Sequence, residues 1–383
     1  MPRSVWIMAG EDSGDTYGAL LATELHRAAP DVVVRGMGGH AMARAGVDIL
    51  VDSSELGVVG VFEVLKRLGT FRRIFRDLVH RAQAERPEAV VLIDYPGFNL
   101  RFAKRMKALG IPVVYYVSPQ VWAWGKRRIP KIARLVTKML VIFPFETTVY
   151  SRTGLDVQFV GHPLLELIPP RQPDEPACDP NTVLLLPGSR FDEVDRLLPV
   201  MVQAAAALHA ETPRLRFVIP VSREKIGERV RARLQGLLTT AGGPDIQVDV
   251  GHTREWLRRG IAGLAASGTI TVESAISGLP LVVVYRVRSF DYMVARILVH
   301  VRYFTMVNVI LKRLVFEEFL QDQVTVANCT RALRAILPGG ERRAEVEAGM
   351  AETVERLGGR GRASAKAAAA VLDVIGRKTV AGE

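Results

Sequence analysis

The sequence predicts an α/β protein made of two Rossmann-like domains, and three observations carry that prediction. Short apolar runs alternate with longer stretches of helical periodicity, which is the pattern of βαβ units and a parallel sheet. The alternation breaks once, at IPPRQPDEPACDP (168–180), where proline and charge together mark a linker. At 383 residues the chain is too long for one ordinary core and suits two. The expected organisation is a first domain over 1–167, a linker over 168–180, a second domain over 181–345 and a helical tail over 346–383.

In chain order, the first series of buried strands is Ser4–Ala9, Val32–Gly36, Ala89–Ile93, Val113–Val117, Met139–Phe143 and Val157–Val160, with helices such as Thr16–Ala29 and Leu100–Leu109 between them. The second series is Thr182–Leu186, Arg216–Pro220, Ile246–Val250, Gly263–Ala266 and Leu281–Tyr285. The alanine-rich stretch Ala363–Ile375 reads as a last helix, crossing back to the first domain or swapped. Two such domains facing a cleft are the GT-B arrangement. In open α/β sheets, ligands bind beyond the carboxyl ends of the strands, so the residues directly after each strand are the candidates for function.

Composition narrows the partners. Lys and Arg number 51 against 40 Asp and Glu, a net charge of +11, which favours an anionic partner: a phosphorylated substrate, an acidic lipid surface or nucleic acid. A merely soluble basic protein has the same balance. The sequence contains no recognised nucleic-acid motif, so nucleic acid is not expected. Cys178 and Cys329 stand alone, which suggests neither a disulfide framework nor a zinc site. The N-terminus meets acids too early for a signal peptide, and the longest apolar stretch, Ile261–Tyr285, is interrupted by Glu273. The expectation is a cytoplasmic protein that lies on a membrane if it meets one.

Two turns of the second series suit phosphate. TVLLLPGSRFDEV (182–194) reads strand, turn, helix. There Gly188 permits a close backbone approach, Ser189 offers a hydroxyl, and Arg190 offers a fork for phosphate at a helix start. Arg190 could equally pair with Asp192 or Glu193. LAASGTITVESA (264–275) repeats the arrangement with Ser267, Gly268 and Thr269, and Glu273 lies one helical turn further on, where it could accept from ribose hydroxyls. Its other reading is a helix-stabilising acid. Two such turns in one domain point to a nucleotide diphosphate. The GxxxxGK[ST] loop of a P-loop NTPase is absent.

The first series carries acids instead. AGEDSGDTYG (9–18) crowds Glu11, Asp12 and Asp15 with Ser13 into the first βα turn. Carboxylates there repel a diphosphate and suit sugar hydroxyls or proton transfer, and the GxGxxG fingerprint is missing. Helix capping is the plainer account. Asp94 ends a hydrophobic strand in AVVLIDYPGFN (89–99), where partial desolvation would raise its pKa toward that of a base. Pro96 and Gly97 shape the loop, and Asn99 is placed to cap the next helix. VSPQVWAWGKRRIPKI (117–132) sets Trp122 and Trp124 beside Lys126, Arg127, Arg128 and Lys131, which suits sugar or phosphate or else a core tryptophan pair with a wet basic flank. His162 reads as structural.

Two basic amphipathic stretches could lie in an anionic interface. One is 61–81, in which Leu65, Leu68, Phe71, Phe75 and Leu78 alternate with Lys66, Arg67, Arg72, Arg73 and Arg76. The other is 285–304. A helix packed on the sheet with a solvated basic face has the same pattern.

In this order, AGEDSGD, GVVGVFEVL (57–65), IDYPGFN, YVSPQVWAW, PFE (144–146), VGHP (160–163), LLPGSR, ASGTITVE and TMVNVILKRLVFEEFLQD (305–322) resemble the lipid-A-disaccharide synthase family. The resemblance implies an inverting GT-B transfer of 2,3-diacylglucosamine from UDP to the 6-hydroxyl of 2,3-diacylglucosamine 1-phosphate, giving the β-1′,6-linked disaccharide and UDP. It implies no cofactor and no catalytic metal. It also implies a homodimer, domain-swapped, and a peripheral position on the cytoplasmic face of the inner membrane. On the matching positions it makes Asp94 the base and implicates Glu11, Arg190 and Asn308, with Gln321 among the nucleotide-sugar residues. Acceptor or lipid contact is expected of Ser13, Asp15, Trp122, Trp124, Phe71, Arg72 and Arg73. Two positions depart from the family: Val307 and Glu317 stand where proline is usual, which bears on the geometry of that loop. The rivals are a peptidoglycan-precursor N-acetylglucosaminyltransferase, a UDP-N-acetylglucosamine 2-epimerase, and a catalytically silent paralogue binding lipid or nucleotide.

Overall fold

A computed structural model describes residues 3–53, 68–123, 125–170, 178–237, 243–287, 302–359 and 361–380. The chain forms two units: Met1–Glu166 with Arg360–Glu383, and Leu167–Gly359.

The first unit holds a seven-stranded parallel sheet. Its strands are β1 (Ser4–Ala9), β2 (Val33–Gly38), β3 (Asp48–Asp52), β4 (Ala89–Ile93), β5 (Val113–Tyr116), β6 (Lys138–Val141) and β7 (Asp156–Phe159), in the order β3-β2-β1-β4-β5-β6-β7. The order of strand addition reverses between β1 and β4, which pair in parallel with Ala9 opposite Ile93. Both strands are apolar on two faces because helices cover both, as a parallel sheet requires. Helices α1 (Asp12–Ala28) and α2 (His40–Arg44) follow the first two strands. Further along come α3 (Leu68–Glu85), α4 (Pro96–Ala108), α5 (Ile129–Leu135), α6 (Glu146–Val149) and α7 (Leu164–Leu167). Leu78 of α3, Phe102 of α4 and Ile132 of α5 share one core with Trp6, Leu92, Tyr115 and Met139.

The described part of the basic stretch 61–81 therefore spends its apolar side on the sheet. Leu78 is buried, and Phe75 meets Phe98 and Phe102 edge-on at 5.5 and 6.1 Å. Arg72, Arg73 and Arg76 remain in solvent and Phe71 is half-buried, so a wet basic face is what α3 presents. Residues 61–67, with Leu65, Lys66 and Arg67, lie outside the described residues, as do 288–301 of the second basic stretch and 171–177 of the linker.

The second unit holds six parallel strands: β8 (Thr182–Leu186), β9 (Arg216–Val221), β10 (Ile246–Val250), β11 (Ala262–Ala266), β12 (Leu281–Tyr285) and β13 (Glu317–Leu320), in the order β10-β9-β8-β11-β12-β13. Its helices are α8 (Phe191–Glu211), α9 (Glu224–Leu237), α10 (Thr253–Arg259), α11 (Ile270–Ser277), α12 (Met306–Leu311), α13 (Val326–Ile336) and α14 (Arg343–Arg356). The stretch 346–383 divides. Helix α14 stays in the second unit, while α15 (Ala363–Val380) packs on α1 and β4 of the first. The start of α15 is fixed by Glu166, which accepts from the Ser364 backbone N–H at 2.7 Å and from its hydroxyl.

Strands β3 and β13 were not among the expected elements. DILVD is half-exposed and flanked by acids, and EEFL has four residues of which two are acidic. Each becomes a strand by pairing with a formed neighbour, β2 or β12, rather than by its own pattern.

Candidate active site

The acids of the first unit gather where β1 and β4 end. The last residue of β4 is followed by Asp94 and Tyr95, both left-handed with φ 44°. Two successive non-glycine residues in that region cost roughly 1–2 kcal/mol each, and such strain persists only where the surroundings impose it. Here they do. The Asp94 carbonyl accepts from the Tyr115 hydroxyl at 2.7 Å and from Asn99 Nδ2 at 2.8 Å. Asn99 Nδ2 also donates to the Ile93 carbonyl at 3.1 Å, so Asn99 pins the strand exit and does not cap a helix as expected. Pro96 and Gly97 are the first turn of α4, with Pro96 at the position where a missing N–H costs nothing. Gly10 admits this arrangement, since a Cβ there would stand 2.4 Å from the Tyr95 ring.

Asp94 is half-buried, and its carboxyl is pushed up to about 6, first by burial and then by the charge of Glu11, against a pull from the Tyr95 backbone N–H. Glu11 itself is exposed, at the start of α1. A third carboxyl enters from the turn after β6. Glu146 is 2% exposed and accepts from the Phe143 N–H at 3.2 Å. Burial raises it to about 8, with Asp94 adding to the rise and the Phe143, Ile142 and Trp122 groups opposing it. Glu146 was not singled out from the sequence; its only signal was its place in the PFE segment. Around it stand Trp122, half-buried and edge-on to Phe145 at 5.1 Å, and Tyr150, whose hydroxyl is 2.9 Å from Ser118 Oγ.

The remaining candidates of this unit fall elsewhere. The Asp15 carboxylate accepts from the N–H groups of Gly39, Ala41 and Met42 at 2.7, 2.9 and 3.0 Å. It is therefore an anchor for the start of α2, with little left for a substrate. Ser13 is exposed. Trp124 lies outside the described residues. His162 is buried and pushed down to about 3 by that burial, hence neutral, and its Nδ1 accepts from the Leu164 N–H at 3.2 Å.

At the second sheet, the turn after β8 has Gly188 at φ 111°, a conformation that favours glycine. The following residues are exposed, but the turn is not empty of charge. Glu193 reaches back from the first turn of α8 to accept from the Ser189 N–H at 3.2 Å and to pair with Arg190 at 3.0 Å. This is one of the two pairings open to Arg190 in the sequence. The turn after β11 leaves Gly268 and Thr269 in solvent and Ser267 half-buried. Glu273 is raised by burial, against a smaller opposing pull from the nearby Arg254 at 3.5 Å.

Asn308 and Gln321 are employed inside the fold. Asn308 is fully buried; its amide donates to the Phe316 carbonyl at 2.7 Å and to Glu318 at 3.1 Å, and its oxygen accepts from Val315 and Phe316 at 2.8 and 3.0 Å. Glu318 in turn receives the N–H groups of Phe304 and Thr305 at the start of α12. Gln321 clasps the backbone of Val287 through both its oxygen and its nitrogen, at 2.9 and 3.1 Å. Val307 is buried beside Asn308, and Glu317 opens β13 and pairs with Arg331. Among the described residues, no group of three or more His, Cys, Asp or Glu is arranged to hold a metal ion.

The two-sheet architecture is shared with proteins of distant sequence. A UDP-GlcNAc 2-epimerase from Neisseria meningitidis bound to UDP-GlcNAc superposes with a TM-score of 0.65 at 14% identity, covering 97% of this chain and 100% of that one. The calicheamicin glycosyltransferase CalG4 does so with a TM-score of 0.60 at 16% identity, covering 98% and 99%. Those likenesses establish the GT-B fold. The family is settled by sequence. A lipid-A-disaccharide synthase from Myxococcus xanthus (strain DK1622) is 39% identical over 383 residues, 98% of each chain. The pattern of the lipid-A-disaccharide synthetase family matches residues 5–372, and so takes in both sheets and the start of the returning helix. With acids at the carboxyl edge of one sheet, two phosphate-suited turns at that of the other, and this match along almost its whole length, the chain belongs to the lipid-A-disaccharide synthase family.

Proposed function

We propose that the protein transfers 2,3-diacylglucosamine from UDP to the 6-hydroxyl of 2,3-diacylglucosamine 1-phosphate, with inversion, giving the β-1′,6-linked disaccharide 1-phosphate and UDP. The observation that carries the reading is Asp94, a half-buried carboxylate on a strained turn, raised to about 6 beside Glu11. At neutral pH such a group is ionised yet basic enough to take a proton. Asp94 accepts the proton of the acceptor hydroxyl as its oxygen bonds to the sugar C1, and the C1–O bond to UDP breaks on the opposite face. The diphosphate is held by Gly188, Ser189, Arg190, Ser267, Gly268 and Thr269, and Glu273 accepts from the ribose. Asn308 and Gln321 support this end of the site indirectly, by fixing the loops around β12 and β13.

Substrates with acyl chains fit a protein that works at an anionic membrane face as a homodimer. Fourteen Lys and Arg stand against four Asp and Glu between residues 68 and 134, so helices α3 to α5 carry most of the net positive charge. Among the described residues no helix is long and apolar enough to cross a membrane. Vesicles containing anionic phospholipid should therefore pull the protein down at low salt and release it at high salt; equal pelleting with neutral vesicles would remove this part of the reading.

The test of the whole is incubation with UDP-2,3-diacylglucosamine and 2,3-diacylglucosamine 1-phosphate, followed by mass spectrometry. The disaccharide 1-phosphate and UDP are expected only when both substrates are present. Epimerised UDP-sugar without acceptor, or no disaccharide in any detergent, would overturn the proposal.

A further inference from the structure

The turn bearing Asp94 is gripped from behind by two side chains that take no part in bond making. The Tyr115 ring is fully buried in the middle of the sheet, so the direction of its hydroxyl is fixed by packing, and that hydroxyl donates to the Asp94 carbonyl at 2.7 Å. Asn99, also fully buried, gives its amide nitrogen to the same carbonyl at 2.8 Å and to that of Ile93 at 3.1 Å. Its own Oδ1 is left buried without a hydrogen-bond partner. A buried acceptor left unmade is a cost. The amide is thus aimed at the turn's carbonyls at the expense of its oxygen, which is not the arrangement that stability alone would select. These two donors act with the backbone bonds from the Asp94 N–H to the Tyr116 carbonyl at 3.2 Å and from the Asn99 N–H to the Tyr95 carbonyl at 3.0 Å to hold Asp94 and Tyr95 at φ 44°. Losing a donor to the Asp94 carbonyl loosens the strained turn that aims the carboxylate.

We propose that Tyr115 is a positioning residue for the transfer: with Asn99, it locks the left-handed turn that presents the Asp94 carboxylate to the acceptor hydroxyl. The proposal rests on the reading of Asp94 as the base. The titratable groups that bear on Asp94 are Glu11 at the start of α1, Tyr95 in the turn, Tyr115 on β5 and Glu146 after β6, with Tyr150 and Arg128 acting on Tyr115. A misplaced carboxylate hurts the chemical step and leaves substrate binding alone. A freed turn also lets water reach it, which lowers its pKa.

The test is Tyr115→Phe in the full chain, which removes one oxygen and keeps the ring. The expected result is a fall in kcat of about tenfold or more, with the KM for both substrates and the affinity for UDP unchanged. The acid limb of the kcat profile, set by Asp94 at about 6, should move to lower pH. Unchanged kcat and an unmoved limb would overturn the proposal. So would a loss of kcat accompanied by parallel losses of UDP affinity and melting temperature, which marks a merely structural role. If Tyr115→Phe does not fold, Asn99→Ser carries the same test, since it removes the second donor from the same carbonyl. Asp94→Asn, assayed alongside, separates the failures. Retained turnover there sinks the base itself, whereas an inactive Asp94→Asn beside a fully active Tyr115→Phe sinks only the positioning role.

Discussion

At the carboxyl edge of the first sheet, the groups suited to chemistry are acids, of which Asp94 and Glu146 are packed among aromatics and Asp94 stands on a left-handed turn. At that of the second they are hydroxyls, glycine and one arginine, mostly in solvent. Asp94 and Glu146 both have carboxyls raised by burial, and Asp94 with Tyr95 stands in strained backbone. Gly188 turns the backbone through the left-handed region, and Ser189, Arg190, Gly268 and Thr269 face water at the helix starts. The difference suits the two tasks proposed for these edges. A general base needs partial desolvation to raise its proton affinity, and so needs a wall around it. A diphosphate grip needs N–H and hydroxyl donors that a ligand can reach, and its walls are completed by the ligand.

That contrast can be broken at four points. The largest effect is expected from Asp94→Asn. Turnover should fall about 10²–10⁴-fold, the usual contribution of a placed base, while UDP affinity measured by calorimetry stays as in the wild type. In the wild type the rate should drop as pH falls through about 6, because the base must be unprotonated to act. Near-normal turnover would show that the acid edge is not where the proton goes.

Arg190→Ala comes next. Loss of a charge-assisted contact to phosphate should weaken UDP binding by about 1.5–3 kcal/mol, roughly 10- to 150-fold. An unchanged dissociation constant would remove Arg190 from the grip and leave it as the partner of Glu193 alone.

A smaller effect in the opposite direction is expected from Glu193→Gln. The Glu193 carboxylate sits on the same N–H and the same arginine that the phosphate would use. An exposed ion pair is worth about 0–1 kcal/mol, so neutralising it should tighten UDP by up to about fivefold. Weaker binding would mean that Glu193 is needed to shape the turn.

The fourth point is read in stability rather than in turnover or binding. The folded-state carboxyl of Glu146 lies above its ordinary value, so the protonated form favours the fold. That contribution is complete below about pH 4.5 and is lost as pH rises through about 8. Glu146→Gln, which cannot ionise, should melt close to the wild type at pH 4.5 and above it at pH 9. A constant gap across that range would show that Glu146 does not titrate with folding.

Legibility in the sequence differed between the two edges for a physical reason. The phosphate-suited turns are local: strand, glycine, hydroxyl and helix start are adjacent in the chain, and Gly188 to Arg190 can be read as a unit. The acid edge is assembled from the ends of β1, β4, β5 and β6, which lie far apart in the chain. Asp94 is visible as an acid ending an apolar strand. Glu146 is one of many glutamates until the fold buries it, and Asn99 reads as a helix cap until its amide is seen on the carbonyls of Ile93 and Asp94. Likewise Asp15 reads as part of an acidic site, yet it serves the start of α2, a contact that spans more than twenty residues.

By itself, the sequence determined the two α/β units, most of their strands and the turns that follow those strands, because apolar periodicity and glycine act over a few residues. Tertiary structure alone decided which polar groups are used up and which are left for chemistry. Asn308 has every hydrogen-bonding atom committed inside the fold, while Asp94 keeps a carboxylate that its surroundings make basic. Desolvation and hydrogen-bond saturation depend on neighbours brought from distant parts of the chain, and a residue's own segment does not specify them.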